Sequence, residues 1–167
     1  MPQLELWDHE MFTANLRAVG TSRYHHLHPV HVRMNAGELT PNEVRGWIVN
    51  RFYYQQIIPV KDAAIISNCP LREVRRMWVH RITDHDGFKD NEGGIDAWLK
   101  LGEAAGIARE ELLDNRHVLP GVRFAVDAYL TLTRTKPWPI AAASSLTELF
   151  APDLMKDRIA AFEKYYT

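Results

Sequence analysis

The sequence predicts an all-α protein, and three observations carry that expectation. Apolar residues recur at three- and four-residue spacings along the chain. Strict period-two alternation never runs beyond a few residues, and the Asp86-Gly87 pair lies beside polar residues instead of between β-branched runs. Proline, glycine and capping residues punctuate the periodic segments where helices would start and stop.

Taken in order, a first helix is expected over about 6–19, with Trp7, Phe12 and Leu16 as its inner face and Gly20 as its stop. A short turn or helix covers 29–34 and ends at Asn35-Ala36-Gly37. Thr40-Pro41-Asn42-Glu43 is a capping box with proline at the first helical position, a strong start signal. The helix it opens carries Trp47, Ile48 and Phe52. Pro59 should kink this helix without ending it, because Ala63, Ala64 and Ile65 continue the pattern. Asn68-Cys69-Pro70 breaks the chain, and a helix over about 71–83 follows, closed by Asp84-His85-Asp86-Gly87. Residues 88–94, polar and glycine-rich, are the candidate mobile loop. Further helices are expected over 95–105, 108–114, 120–135 and 140–150, and Pro152 opens a last one toward Tyr166.

At 167 residues, a single domain over 1–167 is the default, with enough chain for a real core. A hydrophobic content of 46% with 25% charged residues is that of an ordinary soluble globule. Twenty basic against twenty-one acidic side chains give a net charge of −1, which argues against nucleic acid or an anionic membrane as the main partner. The lone Cys69 excludes an internal disulfide framework and fits a reducing cytoplasm. The opening MPQLELWDHEMF has acids where a signal peptide has basic residues, and no apolar run approaches the roughly 18–20 residues of a membrane span. A soluble, cytoplasmic protein is expected.

The most informative stretch is Arg51-Phe-Tyr-Tyr-Gln-Gln-Ile-Ile-Pro-Val-Lys61. On a helix, Arg51, Tyr54 and Gln55 stand at i, i+3 and i+4, with Ile58 one turn on, so a guanidinium, a phenol and an amide share a face. Arginine brings a planar fork of donors suited to carboxylate or phosphate. An ordinary amphipathic helix with a solvated polar stripe satisfies the same spacing. The flanking aromatic and apolar residues are instead those of a lined pocket.

His25, His26, His28 and His31 fall within seven residues just before that helix. Imidazole is the commonest metal ligand, yet the chain lacks H-E-x-x-H, a carboxylate–histidine pair of the di-iron type and a second cysteine, so no metal is expected. One of the four is expected to face a pocket as an acid or base while the others cap turns or meet solvent. Arg81 and His85 form a second i, i+4 pair at a helix C-terminus, flanked by Asp84 and Asp86, which could raise the imidazole's pKa or fix its tautomer. Alone, this pair reads as a charged helix end with weak surface ion pairs. Together with Arg51, the two arginines and two histidines suit a polyanionic ligand whose carboxylates need bidentate partners. Tyr129, on an otherwise apolar helix, reads equally as a buried core tyrosine with one hydrogen-bond partner. No nucleophile elbow, P-loop or dinucleotide fingerprint is present.

Several longer motifs then become familiar: Tyr24-His25 with His28-Pro29, Gly46-Trp47, Asn50-Arg-Phe-Tyr-Tyr-Gln55, Ile58-Pro59, Lys61-Asp-Ala-Ala64, Asn68-Cys-Pro70, Asp84-His-Asp-Gly87, His117-Val-Leu-Pro-Gly-Val-Arg-Phe-Ala-Val-Asp-Ala-Tyr129 and Ser144-Ser-Leu-Thr-Glu-Leu-Phe-Ala-Pro152. From about residue 8 to its end, the chain closely resembles the pyrroloquinoline-quinone synthase (PqqC) family. The resemblance implies a haem-oxygenase-like helical bundle without haem, working as a homodimer. It implies the last step of pyrroloquinoline quinone (PQQ) biosynthesis, a ring closure and oxidation of a polycarboxylate quinone precursor at the expense of molecular oxygen, with neither metal nor organic cofactor. Carried over position by position, His25, Arg51, Tyr54, Gln55, Arg81, His85 and Tyr129 match the family's site residues. Arg51, Arg81, Gln55 and Tyr54 would hold the substrate. His85 would be the main acid/base and His25 a second near the developing quinone oxygens, with Tyr129 and Arg81 also at the reacting centre.

Two departures accompany the resemblance. Met155 stands where family members carry a histidine, so a proton-shuttling or oxygen-handling role is lost or has moved. Family members also continue past the position of Thr167 through helices that bring a tyrosine, an arginine and a lysine to the site. Without such helices an open apolar face is expected around Leu154, Ile159, Phe162 and Tyr165, covered by a partner or a second copy. The alternatives carried alongside are a non-catalytic relative that binds the quinone or its precursor, a haem-oxygenase-like enzyme acting on a thiamin precursor, and a di-iron oxidase, which the missing carboxylate–histidine pairs disfavour.

Overall fold

The computed structural model describes residues 6–166. These fold into nine α-helices: α1 (His9–Arg23), α2 (Pro29–Asn35), α3 (Pro41–Asn68), α4 (Arg72–Asp86), α5 (Gly93–Ala104), α6 (Arg109–Leu113), α7 (Pro120–Thr135), α8 (Trp138–Ala143) and α9 (Ala151–Tyr165), with 3-10 turns at His25–Leu27 and Leu146–Leu149. Strands are absent among the described residues, so the all-α expectation holds. Among them, no helix is long and apolar enough to cross a membrane. The chain divides into two compact units, Thr40–Ser145 and Met1–Leu39 with Leu146–Thr167.

The unit Thr40–Ser145 is built on α3, which packs against α4, α5 and α7. Its start is the expected capping box: Thr40 Oγ1 accepts from the Glu43 amide at 3.3 Å while the Thr40 amide donates to the Glu43 carboxylate at 2.8 Å. Being surrounded, α3 buries more than one stripe: Ile48, Phe52 and Ile65 are fully enclosed, and Val44, Val49 and Ile58 nearly so. The helix runs on through Pro59, as expected from the periodicity. Proline has no N–H, so the Gln55 carbonyl receives nothing from position 59 and the backbone there is locally open to other partners.

After α3, three boundaries differ from expectation. Helix α4 continues three residues past Thr83 to Asp86, and it is Gly87, at φ +85°, that ends it. A Cβ at Gly87 would run into the Asn91 and Glu92 backbone, which turns back sharply there. Residues 88–94 are correspondingly short of slack: Phe88 and Asn91 exchange backbone hydrogen bonds of 2.9 and 3.1 Å, and α5 begins at Gly93. The single helix expected over 140–150 is instead α8 followed by a 3-10 turn. Ser144 turns its hydroxyl onto the Ala141 carbonyl at 2.5 Å, and its own carbonyl is taken by Tyr129, so the helical ladder is interrupted at the serine pair.

In the other unit α2 packs against α9. Tyr166 staples this pair: its hydroxyl donates to the Met34 carbonyl at 3.1 Å and accepts from the Leu39 amide at 3.2 Å. Helix α1 does not stop at Gly20 but passes through it to Arg23. The glycine serves close approach, since a Cβ there would overlap the Phe150 ring. The expected inner face of α1 is also corrected: Trp7 and Phe12 are exposed and Leu16 only half-buried, because the tight contact is made at Gly20. The apolar set expected to form one open face on α9 is split by the helix phase. Leu154 is buried on a stripe with Arg158 and Ala161, Phe162 is half-buried, and Ile159 and Tyr165 are exposed.

Candidate functional site

Within Thr40–Ser145 lie six of the seven residues picked from the sequence, on α3 (Arg51, Tyr54, Gln55), α4 (Arg81, His85) and α7 (Tyr129). Helical spacing puts Arg51, Tyr54 and Gln55 on one face of α3. The Arg51 guanidinium lies 4.4 Å from the centroid of the Tyr54 ring, and Tyr54 stacks almost parallel, at 10° and 6.1 Å, on Tyr129 of α7. Gln55 is buried, and its Oε1 has no hydrogen-bond partner among the described contacts. Such an acceptor carries a desolvation cost that a ligand's donor would remove.

Tyr129 is not a plain core tyrosine. Its hydroxyl donates to the Ser144 carbonyl at 2.7 Å and lies 3.3 Å from Ser145 Oγ. Lys61 Nζ donates to Ser145 Oγ at 2.8 Å, which leaves the Ser145 proton to point at the Tyr129 oxygen. A directional chain thus runs from the Lys61 ammonium through Ser145 to Tyr129, and the same ammonium sits 5.3 Å from the Tyr129 ring centroid.

Helix α4 supplies the other half. Arg81 Nε donates to Asp62 Oδ2 at 2.9 Å, Trp78 Nε1 donates to Asp62 Oδ1 at 3.1 Å, and Lys61 is ion-paired to the same Oδ1. His85 Nδ1 lies 2.8 Å from the Arg81 carbonyl. A carbonyl only accepts, so Nδ1 carries the proton and the neutral ring offers Nε2 as its base. The tautomer is therefore set by the helix's own backbone and not by Asp84 or Asp86, which are exposed.

The sequence reading missed Lys61, Asp62, Trp78 and Ser145 as site-building residues. A signal was present: Lys61-Asp62 interrupts an otherwise apolar helical run between Ile58 and Ile65, at spacings that put both charges on its buried face. Charges there must be paired or hydrogen-bonded.

His25 lies in the other unit, exposed, with its Nδ1 3.1 Å from His31 Nε2. His28 caps α2, its Nδ1 accepting from the Val30 amide at 3.3 Å, and the His26 ring lies against Tyr24. Among the described residues no group of three or more His, Cys, Asp or Glu could hold a metal ion.

Residues 13–166 match the model of the TENA/THI-4/PQQC family. The chain belongs to that family. Its helical fold is accordingly haem-oxygenase-like. Among TENA/THI-4/PQQC relatives it is 54% identical over 167 residues to the pyrroloquinoline-quinone synthase of Cronobacter sakazakii, covering all of this chain and 66% of that protein. It is 55% identical over 157 residues to the pyrroloquinoline-quinone synthase of Klebsiella pneumoniae strain 342, covering 94% of this chain and 62% of the relative. The enzyme of the same name from Pseudomonas aeruginosa strain LESB58 is 52% identical over 160 residues, 95% of this chain and 63% of the relative. The chain thus spans slightly under two thirds of the length of these curated relatives.

Proposed function

We propose that this TENA/THI-4/PQQC member acts in pyrroloquinoline quinone biosynthesis, as an oxidase that takes a polycarboxylate quinone precursor through its final ring closure and oxidation with molecular oxygen as the electron acceptor. The observation that carries the reading is the flat Tyr54–Tyr129 stack edged by Arg51. A planar, multiply charged aromatic acid can lie against such a face while a guanidinium meets a carboxylate. Arg81 would clamp a second carboxylate, Gln55 Oε1 would accept a ligand donor, and His85 Nε2 would take and return a proton. In this reading Tyr129 is polarised through Ser145 by Lys61, and His25 is a second acid/base. Neither metal nor organic cofactor is invoked: electrons leave the substrate's own conjugated ring for oxygen. The working form is a homodimer in the cytoplasm.

The test is incubation of the purified protein with the precursor under oxygen, following the quinone's absorbance and oxygen uptake together. His85→Ala should slow turnover about a hundredfold, the usual weight of a general acid/base. A variant as fast as wild type removes His85 from the mechanism. A second reading, binding of quinone or precursor without turnover, is favoured by Met155, a thioether beside Arg158 (Nη1–Sδ 3.6 Å) that carries no proton to exchange. Tight binding with no oxygen uptake would select it.

A further inference from the structure

We infer that Ser145 is a positioning residue of this site: its hydroxyl, directed by the Lys61 ammonium, holds the Tyr129 phenol so that Tyr129 meets a ligand as a flat ring and not as a proton donor. The ligand's class, a planar quinone, rests on the functional reading above; the tether itself does not.

The chemistry of the partners sets the sense of each bond around the phenol. The Ser144 carbonyl only accepts, so its 2.7 Å contact uses the one proton of Tyr129. An ammonium only donates, so Lys61 Nζ, 2.8 Å away, occupies a lone pair of Ser145 Oγ. The serine proton is then turned to the phenol oxygen, 3.3 Å off. Giving the phenol proton to a ligand would break the shorter of these two bonds to Tyr129. A phenol keeps its hydroxyl hydrogen near the ring plane, because the oxygen is conjugated with the ring. Two partners on that oxygen therefore fix the plane of the ring, and the plane they fix lies 10° from that of Tyr54.

The support behind the phenol is buried. Ser145 is 7% exposed, and Lys61 and its ion-pair partner Asp62 are fully enclosed. Side chains locked by packing and by such hydrogen bonds hold a binding face in one geometry. A core tyrosine is satisfied by a single partner, which the Ser144 carbonyl already supplies. The second bond, with a buried ammonium behind it, adds orientation to satisfaction.

Two measurements test this. In protein labelled with [¹³Cζ]tyrosine, the Tyr129 signal, assigned by its loss in Tyr129→Phe, should move in Ser145→Ala. It should stay in place in Ser144→Ala, which keeps the backbone carbonyl. Lys61→Met leaves Ser145 present but undirected, so it should move the signal too, and it serves if Ser145→Ala does not fold. Titration with pyrroloquinoline quinone as the probe should show binding weakened about threefold to tenfold in Ser145→Ala, the weight of one hydrogen bond. Adding Ser145→Ala to Tyr129→Phe should weaken binding less than about twofold further, since no hydroxyl is left to hold. Tyr129→Phe should also bind about threefold or more tighter than Tyr129→Leu, because phenylalanine keeps the ring. An unmoved Tyr129 signal, an equal shift in Ser144→Ala, equal losses with and without the Tyr129 hydroxyl, or a Tyr129→Phe as weak as Tyr129→Leu overturns the proposal. A wild-type chain that takes up no quinone overturns the functional reading instead, and the ¹³Cζ signal then decides the tether.

Discussion

The buried carboxylate makes an asymmetric stability prediction. Lys61 and Asp62 are both fully enclosed, but their partners differ. Replacing Lys61 with methionine leaves Asp62 still bonded to Arg81 Nε and Trp78 Nε1, and the thioether fills most of the lysine's volume. The bond lost to Asp62 should cost about 1.5–3 kcal/mol, and Ser145 Oγ, which also loses Lys61, keeps Tyr129 as a partner. Replacing Asp62 with asparagine leaves the Lys61 ammonium buried among neutral acceptors, Ser145 Oγ and the asparagine oxygen, with no compensating negative charge. Breaking a buried pair in this sense costs about 3–5 kcal/mol. For a chain of this size that is a fall in melting temperature of about 6–20 °C. Urea denaturation followed by far-ultraviolet circular dichroism measures both, with the slope checked for constancy between variants. The double variant Lys61→Met/Asp62→Asn should recover part of the Asp62→Asn loss, because the stranded ammonium is gone. If Lys61→Met destabilises as much as Asp62→Asn, or if the second substitution recovers nothing, the carboxylate is not the hub of the network.

Gly20→Ala should destabilise by about 1–3 kcal/mol although alanine is the better helix former, because its Cβ overlaps the Phe150 ring; a stabilised variant in thermal melts would mean the ring moves aside freely. Thr40→Ala should cost about 1 kcal/mol by urea titration through loss of the reciprocal cap with Glu43, and an effect below a few tenths would contradict the cap's role. Tyr53 donates to the Asp127 carboxylate at 2.5 Å; that hydrogen bond first, then burial and the carboxylate's charge, hold the phenol's pKa above its usual value. Its contribution is therefore complete below the unfolded pKa of about 10 and is lost as pH rises through the folded one. The stability advantage of wild type over Tyr53→Phe should shrink above about pH 10 in denaturant titrations, and a constant difference across that range would contradict the assignment.

Much of what depended on neighbours within a turn or two was legible from the chain alone. The α3 start was, because the Thr40–Glu43 box and Pro41 are local chemistry. So were the continuation through Pro59 and the shared face of Arg51, Tyr54 and Gln55, which helical geometry dictates. The pairing of Arg81 with His85 was visible as a spacing, but the His85 tautomer was not: the sequence offered Asp84 and Asp86, and it is the Arg81 carbonyl that engages Nδ1. Residues far apart in sequence settled the rest. Gly20 looked like a stop signal until Phe150 supplied a reason for a glycine inside a helix. The serine pair ended α8 early because Tyr129, fifteen residues away, claims the Ser144 carbonyl. Leu154 and Ile159 looked alike as apolar residues on one helix, and packing buried the first while leaving the second exposed. Asp62 shows the division most clearly. Its position marked it as a charge on a buried face, but only the approach of α4 showed that its partners include Trp78 and Arg81, because a buried carboxylate takes its meaning from the donors that tertiary packing brings to it.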